Sequence, residues 1–402
     1  MGSIMGNIMP GPLHGYRIVD LTAMISGPLA TMILADQGAD VIKVEHPDGG
    51  DHTRAAANRR NGFSASFLNN NRNKRSVALD LKRPAALAAL LRLVATADVF
   101  IQNFRPGVAE RMGLGEDAVR AVAPEIIYVS ISGFGETGPY AQKPVYDPLI
   151  QAVSGLASVQ AGSDTERPRL VRTILPDKLT GVTAAQAITA ALLARARSGK
   201  GQHVRLSMLD AVVAFLWSSD MGSQTFVGET IPQQEAASFI DLIYDTATTP
   251  ISAAVQTDRE WQALARALDR PEWLDDPRFR TPALRQRHVN ERLALTQDVL
   301  LTRPAEEWLP RLTREGVPCA PVLTRTAMLS NAQVVANGLV VETDHPAAGR
   351  LRQARPAARF SATPATIRHG GPALGADTEA VLGELGYSRE EIESLRAREH
   401  AA

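Results

Sequence analysis

The 402-residue chain contains a single cysteine, Cys319, which excludes an internal disulfide framework and favours a reducing compartment. Neither sign of charge is in excess, since Lys+Arg and Asp+Glu each number 43. No overall basic surface therefore draws the protein to nucleic acid or to an anionic membrane, and any anion site must be local. An uncharged apolar run long enough to span a bilayer is lacking. The opening residues, MGSIMGNIMPGPLHG, have neither the charged head nor the continuous apolar body of a secretion signal. Gly6 stands where a myristoylation signal needs Ser or Thr. These absences predict a cytoplasmic protein with no membrane or nucleic-acid partner. G-x-S-x-G, a Walker loop, H-E-x-x-H and C-x-x-C are missing too, as are solenoid-type repeats and low-complexity tracts.

What is present reads as an α/β protein. An apolar fraction of 45% with 21% charge fits an ordinary soluble globular chain, long enough for two packed parts. YRIVDL at 16–21 predicts a buried strand, Ser26-Gly27-Pro28 a helix start, Gly38 its stop and DVIKVE at 40–45 a second strand. SVALDL at 76–81, a helix from Pro84 with Leu87, Leu90, Leu91 and Val94 on one face, DVFIQ at 98–102, a helical interval at 108–122 and EIIYVSIS at 125–132 continue the alternation. Such alternation predicts a parallel sheet covered on both faces, with ligands bound beyond the strand C-terminal ends. An alanine-rich helix is expected over 181–197, then a strand in HVRLSML and an all-round apolar, buried segment AVVAFLW at 211–217. Beyond about residue 225 the texture turns to Pro, Gln, Glu and Arg, so 230–325 reads as a smaller, separately packed domain, with linkers near 210–235 and 320–335. The tail predicts two short helices around Gly386-Tyr387.

Each candidate motif has a mundane reading beside its functional one. Gly133, Gly135 and Gly138 form G-x-G-x-x-G after a strand, but Pro139 and polar residues follow where the helix of a dinucleotide site should begin. The segment reads as a loop near a site rather than as a nicotinamide fingerprint. Arg72, Lys74, Arg75, Arg105 and Arg111 read first as solvated charge, yet Arg105 and Arg111 stand beside a strand end, where arginine forks suit phosphate oxygens. Asp177, in LPDKLTG just before an apolar run, reads as a helix N-cap or as a reactive carboxylate. His203 has no metal-type companion at helical offset and reads as a satisfied histidine. Cys319 reads as a packed small residue.

Taken together, GPLATMILADQGADVIKVEHPDGGD, NRNKRSVALDL, NFRPGVAERMGL, SISGFGETGPYAQKPVYDPLIQAVSG, TGVTAAQAITAALLARARSGKGQHVRLSMLDA and DDPRF resemble the family III CoA-transferases, the CaiB/BaiF family, over nearly the whole chain. The resemblance implies a large CoA-binding Rossmann-like domain with a parallel sheet, from 10–225 and 326–402, a smaller inserted α/β domain, and an interlocked homodimer. It implies Asp177 as nucleophile, and CoA contacts at His46, Lys74, Arg75, Asn103, Phe104, Arg105, Arg111, Met112 and Tyr146. The implied activity moves CoA from an acyl-CoA thioester to a free carboxylic acid through anhydride and aspartyl-CoA thioester intermediates. CoA enters as substrate, and neither a metal nor a tightly bound cofactor is required.

Two alternatives accompany that reading. The 2-methylacyl-CoA racemases share the fold, but their proton-shuttling histidine is replaced here by Tyr146, a poor shuttle at neutral pH. A non-catalytic CoA-binding scaffold would not need Asp177. Two departures mark the chain. Ile25 stands where formyl/oxalyl enzymes carry glutamine, and no glycine occurs between Gly228 and Gly316 to form their active-site loop, for which IYDTATTPIS is the candidate replacement.

Overall fold

A computed structural model describes residues 11–228 and 242–396. The chain divides into two compact units, Met1–Gln233 with Gly338–Ala402, and Gln234–Asn337. Arg325–Met328 and Ala332–Ala336, two short helices beyond the expected boundary at 325, fall in the second unit.

In the first unit six strands form one parallel sheet: β1 (Arg17–Asp20), β2 (Asp40–Glu45), β3 (Lys74–Ala78), β4 (Val99–Gln102), β5 (Ile127–Ser132) and β6 (His203–Ser207). Their spatial order is β3-β2-β1-β4-β5-β6, the Rossmann order with its reversal between β1 and β4. Strand side chains alternate between two cores. Val19, Ile42, Phe100 and Tyr128 face helix α2 (Pro84–Val94), through its Ala86, Leu90 and Leu93. Ile18, Val41, Val99, Ile127 and Val129 face α1 (Ser26–Asp36), through Ala30 and Leu34, and α4 (Leu175–Ser198), through Ala184 and Ile188. A strand buried on both faces has no polar side to show, which is why these segments read as continuous apolar runs. Between them, α3 (Asp147–Val153) follows the 133–146 loop, and α5 (Met208–Trp217) follows β6.

The sequence placed α4 six residues too late. Pro176, with no amide hydrogen to lose, sits in its first turn, and Ile174 holds the N-cap position. Asp177 therefore lies inside the helix, and the N-cap reading of it is incorrect. Nor is α5 buried all round, since Phe215 and Trp217 are about half exposed. After a hairpin of Val340–His345 and Gly349–Ala354, the chain returns to the sheet edge, where the Asp377 carboxylate accepts the Ser76 amide and the His369 carbonyl accepts that of Asn73. The tail helices are Thr378–Glu384 and Arg389–Arg396. In the second unit an antiparallel sheet of Ile243–Tyr244, Ile251–Ala253 and Cys319–Pro321 packs with Trp261, Trp273, Phe279 and Trp308. IYDTATTPIS thus builds a hairpin there.

Helices α1 and α4 approach each other closely at Gly181. A β-carbon on Gly181 would lie 2.8 Å from the Ser26 carbonyl oxygen and 3.1 Å from the Leu29 side chain. The backbone atom cannot swing aside as a side chain could. Gly181→Ala is expected to cost about 1–3 kcal/mol in urea unfolding and to lower activity by displacing the start of α1; unchanged stability and turnover would show that the two helices have slack.

Candidate active site

Strands β1 to β4 end around a cleft of about 640 Å³, open at the point where the strand order reverses. Leu21, Thr22 and Ala23 follow β1, His46 follows β2, Leu79, Asp80 and Lys82 follow β3, and Phe104, Arg111 and Met112 follow β4. A mostly apolar wall with His46, Lys82 and Arg111 in its lining suits an elongated ligand that has an apolar body and anionic groups. Lys82 was missed by sequence reasoning, although its place just beyond a strand end was the available signal.

Four of the expected ligand contacts line this cleft: His46, Phe104, Arg111 and Met112. The other five are elsewhere. Lys74 is enclosed below the sheet end, donating to the Asp20 carboxylate at 3.1 Å, Asn71 Oδ1 at 2.8 Å and the Pro28 carbonyl at 2.9 Å. Arg75, next along the strand, emerges on the opposite face and pairs with Asp40 and Glu384. Neither lines the cleft. The Asn103 side chain holds the backbone of Ala23, its Nδ2 donating to the Ala23 carbonyl at 2.8 Å and its Oδ1 accepting from the Ala23 amide at 3.0 Å. Arg105 lines a separate pocket of about 270 Å³ with Glu116, Ser130 and His203. Tyr146 is 68% exposed at the N-cap of α3.

His203 is satisfied, with Nδ1 2.6 Å from Glu116 and Nε2 2.8 Å from Ser130 Oγ. Cys319 is half-buried in a strand of the second unit. Gly133-Gly138 forms a loop in which Gly135 and Gly138 take positive φ, and no helix starts before Asp147. Among the described residues no cluster of His, Cys, Asp and Glu is placed to hold a metal ion.

The connection from β1 to α1 is rigidly held. Below it, Lys43 donates to the Thr22 carbonyl at 2.6 Å and pairs with Asp51 at 3.0 Å, while Asp20 accepts from Thr22, Thr31 and Lys74. Burial alone would raise Asp20, but Lys74 and Lys43 hold its carboxyl below the ordinary range. Burial likewise pushes the Lys74 ammonium down to about 8 against the pull of Asp20. The Asp51 carboxylate also accepts the Met24 amide at 3.2 Å, with Met24 at φ 70°. A methionine in the left-handed region is strained and persists because its surroundings fix it.

That strained turn delivers Ser26 to Asp177. The Ser26 hydroxyl donates to Asp177 Oδ1 at 2.5 Å, and the Asp177 amide donates to Asp147 Oδ2 at 3.2 Å. Burial raises the Asp177 carboxyl above its ordinary pKa, Asp147 raises it further, and Ser26 opposes both. Asp177 lies in the first turn of α4. The result is a half-buried, basic carboxylate at the junction of three helix starts, suited to nucleophilic attack on an activated carbonyl. Ser26 reads in the sequence only as part of a helix start, and no local signal marks Asp147.

Comparison with known proteins identifies the family. The profile described as CoA-transferase family III matches residues 13–378. A mouse protein named succinyl-CoA:glutarate CoA-transferase is 34% identical over 392 residues, covering 96% of this chain and 89% of that protein. A formyl-CoA:oxalate CoA-transferase of Escherichia coli O6:H1 is 32% identical over 413 residues, covering 96% and 99%. The crystal structure of a CaiB/BaiF family protein from Brucella suis superposes with a TM-score of 0.80 at 30% identity, covering 94% of this chain and 100% of that one.

The raised carboxyl also carries a stability consequence. A folded pKa above the unfolded value means that Asp177 favours folding only while protonated; that contribution is lost as pH rises through the folded pKa, leaving a net cost at neutral pH. Asp177→Asn is therefore expected to leave the melting temperature at pH 7 unchanged or higher, and to narrow the difference at acid pH. A marked fall at pH 7 would identify Asp177 as a structural group.

Proposed function

The chain belongs to CoA-transferase family III and is an acyl-CoA:carboxylate CoA-transferase, and on that basis we propose that Asp177 is its nucleophile, with CoA held in the cleft at the ends of β1 to β4. The observation that carries this reading is the Asp177 carboxylate itself, held by Ser26 and raised by burial. One Asp177 oxygen attacks the donor's acyl carbon, the C–S bond breaks, and CoA leaves as thiolate. The thiolate then attacks the anhydride at the Asp177 carbonyl, releasing the donor acid and leaving an aspartyl-CoA thioester. The acceptor carboxylate reverses the sequence. Each step exchanges one acyl bond for another, so no net proton or electron is needed.

In this reading Phe104 and Met112 supply apolar contact in the cleft, while Arg111 and Lys82 meet phosphate. Ala23 lines the cleft three residues before Ser26, so the β1–α1 connection joins the thioester site to the nucleophile. Glutarate and oxalate, the acceptors in the relatives' names, are both dicarboxylates, and we take a dicarboxylate as the acceptor class here. Arg169 and Arg172, exposed on the segment entering α4, can supply a counter-charge, and Ile25 in place of glutamine points away from oxalate itself. A homodimer accounts for the apolar side chains exposed on α3 to α5, including Leu149, Val182, Leu193, Phe215 and Trp217.

Asp177→Ala is expected to abolish exchange of CoA between a thioester and free dicarboxylates while the protein remains folded; retained turnover would remove the assignment. Arg111→Ala should raise the KM for acyl-CoA roughly tenfold or more through a lost charge-assisted contact, whereas Arg75→Ala should not change it. Equal effects of the two would contradict the placement of CoA.

A further inference from the structure

The start of α3 holds a second buried carboxylate that the transfer chemistry does not itself call for. Asp147 is 3% exposed, and Gln151, one turn later, is 2% exposed. Gln151 Nε2 donates to Asp147 Oδ1 at 2.6 Å, and Gln151 Oε1 accepts the Val171 amide at 2.8 Å. The same Nε2 lies 3.4 Å from the carbonyls of Val171 and Thr173, the segment that runs into α4. The remaining oxygen, Asp147 Oδ2, accepts the backbone amide of Asp177. The α3 pair thereby fixes both the approach to α4 and the amide of the nucleophile itself.

Resting on the reading of Asp177 as nucleophile, we propose that Asp147, oriented by Gln151, is a positioning residue whose negative charge presses the Asp177 carboxylate toward acylation. A neutral oxygen could accept the Asp177 amide equally well, and burying a charge is costly, so the carboxylate needs a reason beyond holding the helix. Attack supplies one. As the Asp177 oxygen bonds the acyl carbon and the C–S bond breaks, the electron pair and the negative charge depart with the CoA sulfur. Repulsion between Asp147 and Asp177 is present before the step and falls during it, a difference that lowers the barrier rather than merely tightening binding. Burial is the first cause of the raised Asp177 carboxyl, and Asp147 is the one charged group that adds to it. Ser26 from α1 opposes the rise, and Lys178 on the same turn is directed to Thr173 Oγ1 at 2.7 Å. No charged group of α5, β5 or β6 acts on the carboxyl among the described residues.

The test compares Asp147→Asn and Ser26→Ala with the parent enzyme in pH profiles of kcat/KM for an acyl-CoA donor, alongside melting temperatures. Asp147→Asn should lower kcat at least tenfold with little change in the KM for the thioester, and should move the acidic limb to lower pH. Ser26→Ala should move that limb the other way. An acidic limb unmoved by Asp147→Asn, whether turnover falls or not, overturns the proposal, because a merely structural role would leave the limb in place. If that variant does not fold, Asp147→Ser, which keeps an oxygen and removes the charge, is read by the same criterion. Failure of the nucleophile assignment would be distinct, since Asp177→Asn would then itself turn over.

Discussion

The site depends on the buried ion network beneath the β1–α1 connection. Asp20, Lys43, Lys74 and Asp51 alternate in sign below the sheet end, and each is almost fully enclosed. Removing one partner would leave an uncompensated buried charge, which typically costs ~3–5 kcal/mol. Through the Thr22 carbonyl and the Met24 amide the network sets the turn that forms one cleft wall and starts α1. The strain at Met24 and the placement of Ser26 against Asp177 are two ends of that same constraint.

Around this support, catalytic readiness and stability are in opposition. Asp177 sits where burial and a like charge raise its basicity, and hydrogen bonding from Ser26 restrains it. A more solvated carboxylate would stabilise the fold better and attack a thioester less well. Gly181 belongs to the same compromise: its missing β-carbon lets α1 come close enough for Ser26 to reach Asp177.

Much of the large unit was legible because fully buried parallel strands advertise themselves as apolar runs, and proline and glycine mark the helix ends. Val41, Val99 and Val129 were plain in this sense. The local signal failed where partners are remote. Lys74 and Arg75 read as ligand contacts, and nothing nearby shows that their partners are Asp20 and Glu384, 54 and 309 positions away. Ser26 and Asp177 are separated by 151 positions, so their pairing was invisible too. Conversely, α5 read as buried because apolarity alone cannot distinguish a core helix from one whose exposed face holds Phe215 and Trp217. The family resemblance pointed to Asp177 and to CoA, whereas geometry pointed to Ser26, Asp147, Gln151 and Lys82.

The central claim is that Asp177 carries CoA covalently. Trypsin releases Thr173–Lys178, TILPDK, in which Asp177 is the sole acidic side chain. Enzyme mixed with an acyl-CoA donor, quenched in acid and digested, should yield this peptide with CoA in thioester linkage, lost on treatment with hydroxylamine. An unmodified TILPDK peptide recovered from enzyme in active turnover, with CoA attached to another peptide or to none, would contradict the account.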